Sequence, residues 1–268
     1  MSHIISKIDG LIGVITLNNP DKHNAFDDVL IADLTHALSL MEQSAQVRVV
    51  ILAAAGKSFS AGADLNWMKR IATYSQAENL RDAMGLATLM KTLHGLTKPT
   101  IARVQGAAYG GGVGLVACCD VAIGTHDAAF SLSEVKLGLI PAVISPYVIA
   151  AMGERAAHRY FLTAEKFDAA TAFRLGLLHE LAASEAAMDE KITQLCMALL
   201  HAGPHAQAEA KSLIAAVANH PINGALVAET AQRIARVRAS MEGKEGLAAF
   251  LEKRQPVWVS NIAPNIDS

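Results

Sequence analysis

The chain has 268 residues, of which 52% are hydrophobic and 18% charged, and its formal net charge is −2. This length and composition predict one large folded domain, or one domain with an appendage, and not a disordered chain. The near-neutral charge argues against binding to nucleic acid or to an anionic membrane, because a protein binds either one through clustered basic side chains. The aromatic content of 5% also argues against nucleic acid, because aromatic side chains provide the surfaces on which bases stack. A local basic patch for one anionic ligand is still compatible with these numbers.

The three cysteines, Cys118, Cys119 and Cys196, are odd in number and lack zinc-ligand spacing, which predicts reduced thiols in a reducing compartment. The N-terminus lacks the long apolar segment of a signal peptide, and no long stretch is free of charge and glycine. The scattered histidines show no metal-ligand spacing. We therefore expect a cytoplasmic protein with no membrane span and no metal.

The first part of the chain alternates β-branched runs with an amphipathic segment. Residues 12–17 and 47–52 predict strands. Between them Asp27 or Asp28 can cap a helix, because apolar residues then recur on one face at positions 30, 34, 38 and 41. A loop of small residues at 53–64 follows the second strand and completes a βα-type unit.

The middle of the chain repeats this alternation. Helices are predicted at 67–71 and 76–96, and Pro99 ends the second. Three more strands are predicted, at 100–104, 121–124 and 128–132. No exact sequence repeat is visible, but the succession of similar units suggests a coiled series.

After Gly153 the chain is rich in Ala, Leu, Glu and Lys at helical spacing. Pro204 suits the first turn of one helix, and another is predicted at 224–241. We expect an α/β core over residues 1–195 and a helical C-terminal region over residues 196–268 that packs on another subunit.

The segment at 104–120, VQGAAYGGGVGLVACCD, holds five glycines between two buried runs. Because a glycine costs a helix about 1 kcal/mol relative to alanine, we expect a turn here, in which the backbone comes close to another group. The segment alone favours neither of two explanations for these glycines. Either a helix start packs tightly against a strand, or a row of bare N–H groups is directed at a ligand oxygen.

Part of this segment also imitates a dinucleotide-binding pattern, G-x-G-x-x-A, at Gly112, Gly114 and Ala117, with Glu134 as the acidic residue. The context argues against that interpretation. A strand should end at the first glycine of the pattern, and the acid should close a second strand after a full crossover helix.

Two acidic residues stand out. Asp64 fits a helix N-cap, which would leave the N–H groups around Ala63 free, and one of these with one from residues 110–112 would make an oxyanion hole. Glu134 lies between two apolar runs. It is either a cap or an ion-pair partner of Lys136 or an arginine, or a general acid/base whose pKa is raised by burial. The residues alone favour the first explanation of Glu134 slightly.

Three motifs, FSAGADL, QGAAYGGGVGLVACCD and FSLSEVKLGLIPA, in this order and spacing resemble the enoyl-CoA hydratase/isomerase (crotonase) superfamily. NNPDKHNAF and EGLAAFLEKRQPVW extend the resemblance over nearly the whole chain. It implies the α/β crotonase fold, a spiral of β-β-α units with a C-terminal helical trimerisation region, and a homotrimer or a hexamer built as a dimer of trimers. It also implies an acyl-CoA substrate, with no cofactor besides the coenzyme A that the substrate carries.

The resemblance assigns roles to individual residues. The backbone N–H groups of Ala63 and Gly111 correspond to the family's oxyanion hole, each donor stabilising an enolate by roughly 3–4 kcal/mol. Phe250 would close the adenine pocket of this or a neighbouring subunit. The residues expected along the coenzyme A moiety are Lys22, Ala61, Ala63, Asp64, Leu65 and Gly111.

Typical hydratases of this family carry two catalytic glutamates. The second corresponds to Glu134 and the first to position 114, which is Gly114 here. A single carboxylate must then both orient the water and move the proton, unless another group helps. Single-glutamate members of the superfamily include Δ3,Δ2-enoyl-CoA isomerases, in which one carboxylate moves a proton between carbons.

A narrower resemblance lies in GADLNWMKR, AAYGGGVGLVACCD and LSEVKLGLIPAVISPYV. These look like the bacterial methylglutaconyl-CoA hydratase of leucine degradation and the isohexenylglutaconyl-CoA hydratase of acyclic terpene breakdown. Their branched substrates carry a distal carboxylate, for which Arg70, Ser145 or Tyr147 is a candidate partner. The residues expected around the acyl group are Trp67, Met68, Arg70, Gly114, Ser145 and Tyr147.

The resulting prediction is hydration of a 2-enoyl-CoA, with a branched glutaconyl-CoA as substrate. Ala63 and Gly111 hold the thioester oxygen, and Glu134 acts as base on the water and as acid towards C2. Two alternatives remain open. One is a Δ3,Δ2-enoyl-CoA isomerase, which Gly114 favours; the other is a non-catalytic member of the fold that binds acyl-CoA or RNA.

Overall fold

The computed structural model describes residues 3–259, so residues 1–2 and 260–268 of the two expected regions lie outside it. The strands in this range are β1 (Ile4–Asp9), β2 (Ile12–Leu17), β3 (Val49–Ala54), β4 (Thr100–Val104), β5 (Ala107–Tyr109), β6 (Val121–Thr125), β7 (Ala129–Ser131), β8 (Phe167–Asp168) and β9 (Glu180–Ala182). The α-helices are α1 (Asp28–Gln43), α2 (Leu65–Ile71), α3 (Gln76–His94), α4 (Gly111–Cys118), α5 (Ser145–Met152), α6 (Glu154–Thr163), α7 (Ala169–Leu175), α8 (Glu185–His201), α9 (Pro204–Val217), α10 (Gly224–Ala239) and α11 (Met241–Leu251). None of these helices has both the length and the hydropathy of a membrane span.

Two sheets carry the α/β fold. The larger has the strand order β1-β2-β3-β4-β6-β9, and the smaller has the order β5-β7-β8. In the larger sheet β1 and β2 are antiparallel and the other pairs are parallel. β4 and β6 belong to the larger sheet, and the strands that follow them, β5 and β7, belong to the smaller one. The chain therefore coils from one sheet to the other, as expected for a spiral of β-β-α units.

The core lies on both faces of the larger sheet. β3 and β4 are buried almost throughout, as central parallel strands usually are. Alternate residues face opposite sides, so Val50 packs with the apolar faces of α1 and α3, while Val49 and Ile101 pack against Met188 and Ile192 of α8. This double cover fixes the ends of β3 and β4, from which the candidate site is built.

Local signals located most of these elements. Asp27 caps α1, its Oδ1 accepting from the N–H of Leu30 at 2.8 Å, as expected. The strand predicted at 47–52 is observed two residues later, and the helix predicted at 76–96 ends at His94. β1, β5, β8 and β9 are absent from the prediction. β1 interleaves charged residues with apolar ones, and the other three have only two or three residues each. β8 and β9 also lie in the stretch after Gly153 whose composition favours helix.

The glycine-rich stretch corrects an expectation. Its second half is not a turn but helix α4, which begins at Gly111 and includes Gly112 and Gly114. A Cβ added at Gly112 would lie 2.9 Å from the carbonyl oxygen of Ser60, and one at Gly114 would lie 2.3 Å from Ile144 Cγ2. Close packing that only glycine permits therefore outweighs the helix-propensity cost. The glycines of the dinucleotide pattern lie inside this helix and not at its entry.

The C-terminal helices differ from the core. α8 runs through residue 195, where the boundary was expected, and its Ile192 and Cys196 are both buried against the sheet. α9 and α10 contain no buried side chain, and α11 has only Ala249. The change from buried to exposed helices thus comes after His201. The division of the chain at residue 195 and the trimerisation role of the last helices stay predictions.

Candidate active site

Two stretches that the sequence pattern singles out meet in the structure. The small-residue loop (residues 55–64) follows β3, and the glycine segment (residues 106–114) follows β4. A parallel bridge joins Ser60 to Ala108, with the N–H and C=O of Ser60 bonded to the backbone on either side of Ala108 at 3.0 and 2.8 Å. Because β3 and β4 are parallel neighbours, their carboxyl ends bring both stretches to one edge of the sheet.

A third stretch, the polar segment (residues 19–26), holds the small-residue loop in place. Asn24 is fully buried, and its Nδ2 donates to the carbonyls of Ala55 and Ser58, both at 2.9 Å. The carbonyl of Asn24 accepts from Ser60 Oγ at 2.8 Å. Sequence reasoning missed Asn24, because its partners lie about thirty residues away and its only local signal is an asparagine in a turn-like run.

Ala63 presents a free N–H group. The backbone on either side of it is used: the N–H of Phe26 donates to the carbonyl of Gly62 at 2.7 Å, and the N–H of Asp64 donates to the carbonyl of Phe26 at 2.8 Å. The N–H of Ala63 itself has no acceptor among the described residues. Asp64 is the N-cap of α2, as expected, because its Oδ1 accepts from two N–H groups of the first turn at 2.8 and 3.1 Å.

Gly111 presents a second free N–H group. Gly110, just before it, has φ 50° and ψ −118°, a conformation that side chains disfavour, and donates its N–H to the carbonyl of Ser131 at 2.9 Å. Gly111 is the first residue of α4, and its N–H has no acceptor in the described part of the chain. A Cβ at Gly110 would lie 4.0 Å from the Cα of Gly62. Gly62 and Gly110, which precede Ala63 and Gly111, are therefore close neighbours, and the two free donors lie on the residues that follow them.

Glu134 lies at the start of a 3₁₀ turn, Glu134–Leu137, that follows β7. Its Oε1 is 3.2 Å from the position that a Cβ of Gly110 would take, and its Oε2 is buried with no hydrogen-bond partner within residues 3–259. Burial raises the pKa of Glu134. Lys136 donates instead to the carbonyl of Ala164 at 2.8 Å. The carboxylate of Glu134 does bond to its own backbone N–H, which lowers its pKa by less than burial raises it. Within residues 3–259 the structure thus supports no ion pair for Glu134, and the local backbone bond leaves Oε2 without a partner.

The residues expected along coenzyme A lie mostly together. Lys22 Nζ donates to Asp64 Oδ2 at 2.9 Å, which lowers the pKa of Asp64 and raises the pKa of Lys22. Leu65 begins α2 with 70% of its surface exposed, and the N–H of Ala61 is taken by a carbonyl of the polar segment. Phe250 is on α11, which packs against α9 and α10, and is 80% exposed.

Gly114 is enclosed where α3, α4 and α5 meet. A Cβ there would lie 2.3 Å from Cγ2 of Ile144, 2.9 Å from its Cβ, and 3.2 Å from Cε of Met90. Ile144 is itself 2% exposed. The space that a side chain at position 114 would need is therefore filled by apolar atoms.

The expected acyl-group residues on α2 contact two different helices. Trp67 is buried and donates its Nε1 to Asp82 Oδ1 on α3 at 3.0 Å, and Met68 is partly buried. Arg70 is exposed and forms an ion pair with Asp28 at the start of α1. Its guanidinium thus already has a carboxylate partner from the chain.

The other two expected acyl-group residues belong to α5. Ser145 Oγ donates to the carbonyl of Ala142 at 2.8 Å. The ring of Tyr147 meets the ring of His94 edge-on with 5.1 Å between centroids, and burial raises the pKa of its phenol. No hydrogen bond or ion pair within residues 3–259 joins Arg70 to Ser145 or Tyr147. A shared site for a distal carboxylate stays a prediction.

Two surface cavities lie away from this site. One of about 700 Å³ opens between α1 and α3, and one of about 410 Å³ opens between α9 and α10. Neither is lined by the small-residue loop or the glycine segment. Among residues 3–259 no group of three or more His, Cys, Asp or Glu side chains is placed to hold a metal ion.

Comparison with known proteins identifies the family. Residues 7–261 match the family model described as enoyl-CoA hydratase/isomerase. A Thermus thermophilus protein is 34% identical over 248 residues, covering 92% of this chain and 97% of the relative. The crystal structure of an enoyl-CoA hydratase from Shewanella pealeana matches with a TM-score of 0.93 at 46% identity over 96% of both chains. Pseudomonas aeruginosa AtuE matches with a TM-score of 0.91 at 32% identity over 96% of this chain and 99% of its own. The chain belongs to the enoyl-CoA hydratase/isomerase (crotonase) superfamily.

Proposed function

We propose that the protein hydrates a 2-enoyl-CoA thioester to the 3-hydroxyacyl-CoA, with a branched glutaconyl-CoA such as 3-methylglutaconyl-CoA as substrate. The observation that carries the proposal is the Glu134 carboxylate, whose Oε2 is buried without a partner and whose Oε1 lies beside Gly110. A carboxylate with a buried, unpaired oxygen destabilises a fold, so its presence beside Gly110, the residue just before the free N–H of Gly111, supports a role in chemistry.

In the proposed reaction the N–H groups of Ala63 and Gly111 bind the thioester carbonyl oxygen. Ionised Glu134 takes a proton from water as the water oxygen bonds to C3, and the C2=C3 electron pair moves through the thioester to its oxygen. The two donors stabilise the resulting enolate. Protonated Glu134 then returns the proton to C2, which restores the carboxylate and leaves the elements of water on C2 and C3.

The raised pKa of Glu134 suits both steps. A base whose pKa is raised towards the operating pH is a stronger proton acceptor, and its conjugate acid still donates readily. Because the base must be ionised, we expect kcat to rise with pH through an apparent pKa above the ordinary glutamate value.

A specific observation favours isomerisation as the second candidate. Ile144 fills the space beside Gly114, so no second carboxylate can lie there to hold a water. In a Δ3,Δ2-enoyl-CoA isomerase Glu134 would take a proton from C2 and deliver it to C4, while the double bond moves from C3–C4 to C2–C3. That reaction needs one carboxylate and no water.

An assay with crotonyl-CoA, 3-methylglutaconyl-CoA and a 3-enoyl-CoA side by side tests the proposal. We expect loss of enoyl absorbance with 3-methylglutaconyl-CoA. Conversion of the 3-enoyl-CoA to a 2-enoyl product that is not hydrated would instead establish the isomerase. In either reaction Glu134→Gln should lower kcat by roughly 10²–10⁴-fold. Glu154→Gln, an exposed glutamate on α6, is the control and should keep full activity. A fully active Glu134→Gln enzyme would refute the mechanism.

We also propose that the enzyme is cytoplasmic and works as a homotrimer or a dimer of trimers. The assembly is supported by the C-terminal region, where α9 and α10 bury no side chain. Ile214, Ile234 and Phe250 are 65%, 49% and 80% exposed in the single chain. Large apolar side chains exposed on three neighbouring helices are the kind of surface that a subunit interface covers. Sedimentation equilibrium measures the assembly directly, and a monomer at micromolar concentration would contradict it.

A further inference from the structure

We infer that Lys136 is a positioning residue for the Glu134 carboxylate, because its ammonium group ties the turn that carries Glu134 to the carbonyl end of α6. The inference rests on the proposed function, since positioning matters only if Glu134 acts on the substrate. It gives a role to a lysine that the sequence suggested only as an ion-pair partner of Glu134.

The turn that carries Glu134 needs an outside support. It is a four-residue 3₁₀ turn, Glu134–Leu137, in which no residue is fully buried although Oε2 of Glu134 is. Its backbone bonds are all local, from the N–H of Lys136 to the carbonyl of Ser133 at 3.1 Å, from the N–H of Gly138 to the carbonyl of Val135 at 3.2 Å, and from the N–H of Leu139 to the carbonyl of Glu134 at 3.0 Å. Hydrogen bonds in 3₁₀ turns have poorer geometry than those in α-helices. None of these bonds ties the turn to another element of the fold.

Lys136 provides that support. Its Nζ donates to the carbonyl oxygen of Ala164 at 2.8 Å. Ala164 ends α6 in the left-handed conformation, with φ 49° and ψ 28°, and is fully buried. A cation at the carbonyl end of a helix is favourable, because the last carbonyls have no partner within the helix and carry partial negative charge. The acceptor is thus fixed, and so is the turn bonded to it.

The same carbonyl links the turn to the glycine segment. Ser131 Oγ donates to the carbonyl of Ala164 at 3.4 Å, and the carbonyl of Ser131 accepts from the N–H of Gly110 at 2.9 Å. Gly110 in turn lies against Glu134 Oε1. These contacts close a ring that runs from Glu134 through Lys136, Ala164, Ser131 and Gly110 back to the carboxylate. Removing the lysine opens this ring next to the reacting group.

Other charged groups at this end of α6 are already engaged. Arg159 pairs with Glu165, and the ammonium of Lys166 lies 5.1 Å from the centre of the Tyr109 ring. Neither contact involves Lys136. The bond from Lys136 to Ala164 is therefore not part of the surface ion pairs around it.

The test compares Lys136→Met, which removes the donor, with Lys136→Arg, which keeps a cationic donor. Lys191→Met is the matched control. Lys191 also makes a short contact, from its Nζ to Oε2 of Glu180 at 2.6 Å, but it lies on α8 and not on the turn that carries Glu134. With the three CoA thioesters named above, we expect Lys136→Met to lower kcat roughly ten- to thirtyfold while KM changes less than about twofold. Lys136→Arg should restore most of kcat, and Lys191→Met should match the parent enzyme.

Two further readouts separate positioning from simple stability. In Lys136→Met the acidic limb of the kcat–pH profile should move to lower pH, because a loosened turn lets water reach Glu134 and relieves the burial that raises its pKa. Hydrogen exchange of residues 133–139 in the substrate-free protein should be faster in Lys136→Met than in Lys136→Arg. This second readout does not depend on which thioester is the substrate.

Two outcomes would overturn the inference. The first is a Lys136→Met enzyme with unchanged kcat and unchanged hydrogen exchange. The second is an equal loss of kcat in Lys136→Met and Lys136→Arg that follows a loss of melting temperature. Glu134→Gln measured alongside keeps the two proposals apart: if it is fully active, the proposed function fails. If it is inactive while Lys136→Met is normal, only the role of Lys136 fails.

Discussion

The small-residue loop and the glycine segment each present one free N–H group, but they are held in place by different means. The small-residue loop is bonded through side chains, chiefly Asn24 and Ser60, to the polar segment. The glycine segment uses the absence of side chains, because Gly106, Gly112 and Gly114 each lie where a Cβ would collide with a neighbour. The comparison shows that two similar backbone donors can be held in place by different forces, one by directional hydrogen bonds and the other by close packing.

The difference predicts opposite sensitivities. Packing of the glycine segment should fail when atoms are added, whereas bonding of the small-residue loop should fail when atoms are removed. Three substitutions test this contrast, each with a matched control elsewhere in the chain.

The largest effect is expected from Gly106→Ala. Its Cβ would lie 1.9 Å from the carbonyl oxygen of Lys57, and its φ is +60°. Overpacking against a rigid backbone and the left-handed cost together predict a loss of roughly 3–5 kcal/mol in the free energy of unfolding. Gly10→Ala is the control, with φ +55° and no atom within 4 Å, and should lose only about 1–2 kcal/mol. Equal losses in urea unfolding would show that the clash is relieved by movement of the chain.

Asn24→Ala should come next. It removes two donors from carbonyls of the small-residue loop and one acceptor from the N–H of Asn19, which predicts a loss of roughly 2–4 kcal/mol in the free energy of unfolding and a parallel fall in kcat as Ala63 is displaced. Asn79→Ala, which removes one exposed bond of 3.2 Å to the carbonyl of Tyr74, should cost less than about 1 kcal/mol. If both variants unfold at the same urea concentration, side-chain bonding does not hold the small-residue loop.

The smallest of the three effects is the most specific. Gly114→Ala places a methyl group against Ile144 and should destabilise by roughly 1–3 kcal/mol. Gly85→Ala also lies inside a helix, α3, but its Cβ would meet only Ile31 at 3.8 Å, so it should stabilise by about 0.5–1 kcal/mol. In thermal melts, Gly114→Ala should therefore lower the melting temperature, whereas Gly85→Ala should raise it. A stabilising Gly114→Ala would contradict the packing described for α4.

The contrast also explains what the sequence could predict. A cap is a local signal, an acidic residue next to an apolar helical run, so the sequence predicts Asp64 as one cap and Asp27 or Asp28 as another, and the structure selects Asp27. Glycines carry a similar local signal, so the glycine segment was found, and its family resemblance located the free N–H groups. The helical state of α4 was missed, because propensity disfavours it and packing against Ser60 and Ile144 overrides propensity.

Residues whose roles depend on distant partners could not be predicted. Asn24 and Lys136 both act on carbonyl groups about thirty residues away in the chain, and a carbonyl has no sequence signature. Glu134 was ambiguous for the same reason. Whether a glutamate is paired or left without a partner depends on what the rest of the fold brings to it, and here no partner within residues 3–259 reaches Oε2.

The packing of Gly114 against Ile144 has a consequence for how this protein could change over evolutionary time. A glutamate at position 114 would need Ile144 to shrink, yet shrinking Ile144 first would open a cavity at a cost of about 2–5 kcal/mol. Either order of mutation passes through a weakened intermediate, so the two positions are epistatic. A lineage that has acquired this pair has no room for a carboxylate at position 114, and we expect that a library that varies this position alone will not recover one.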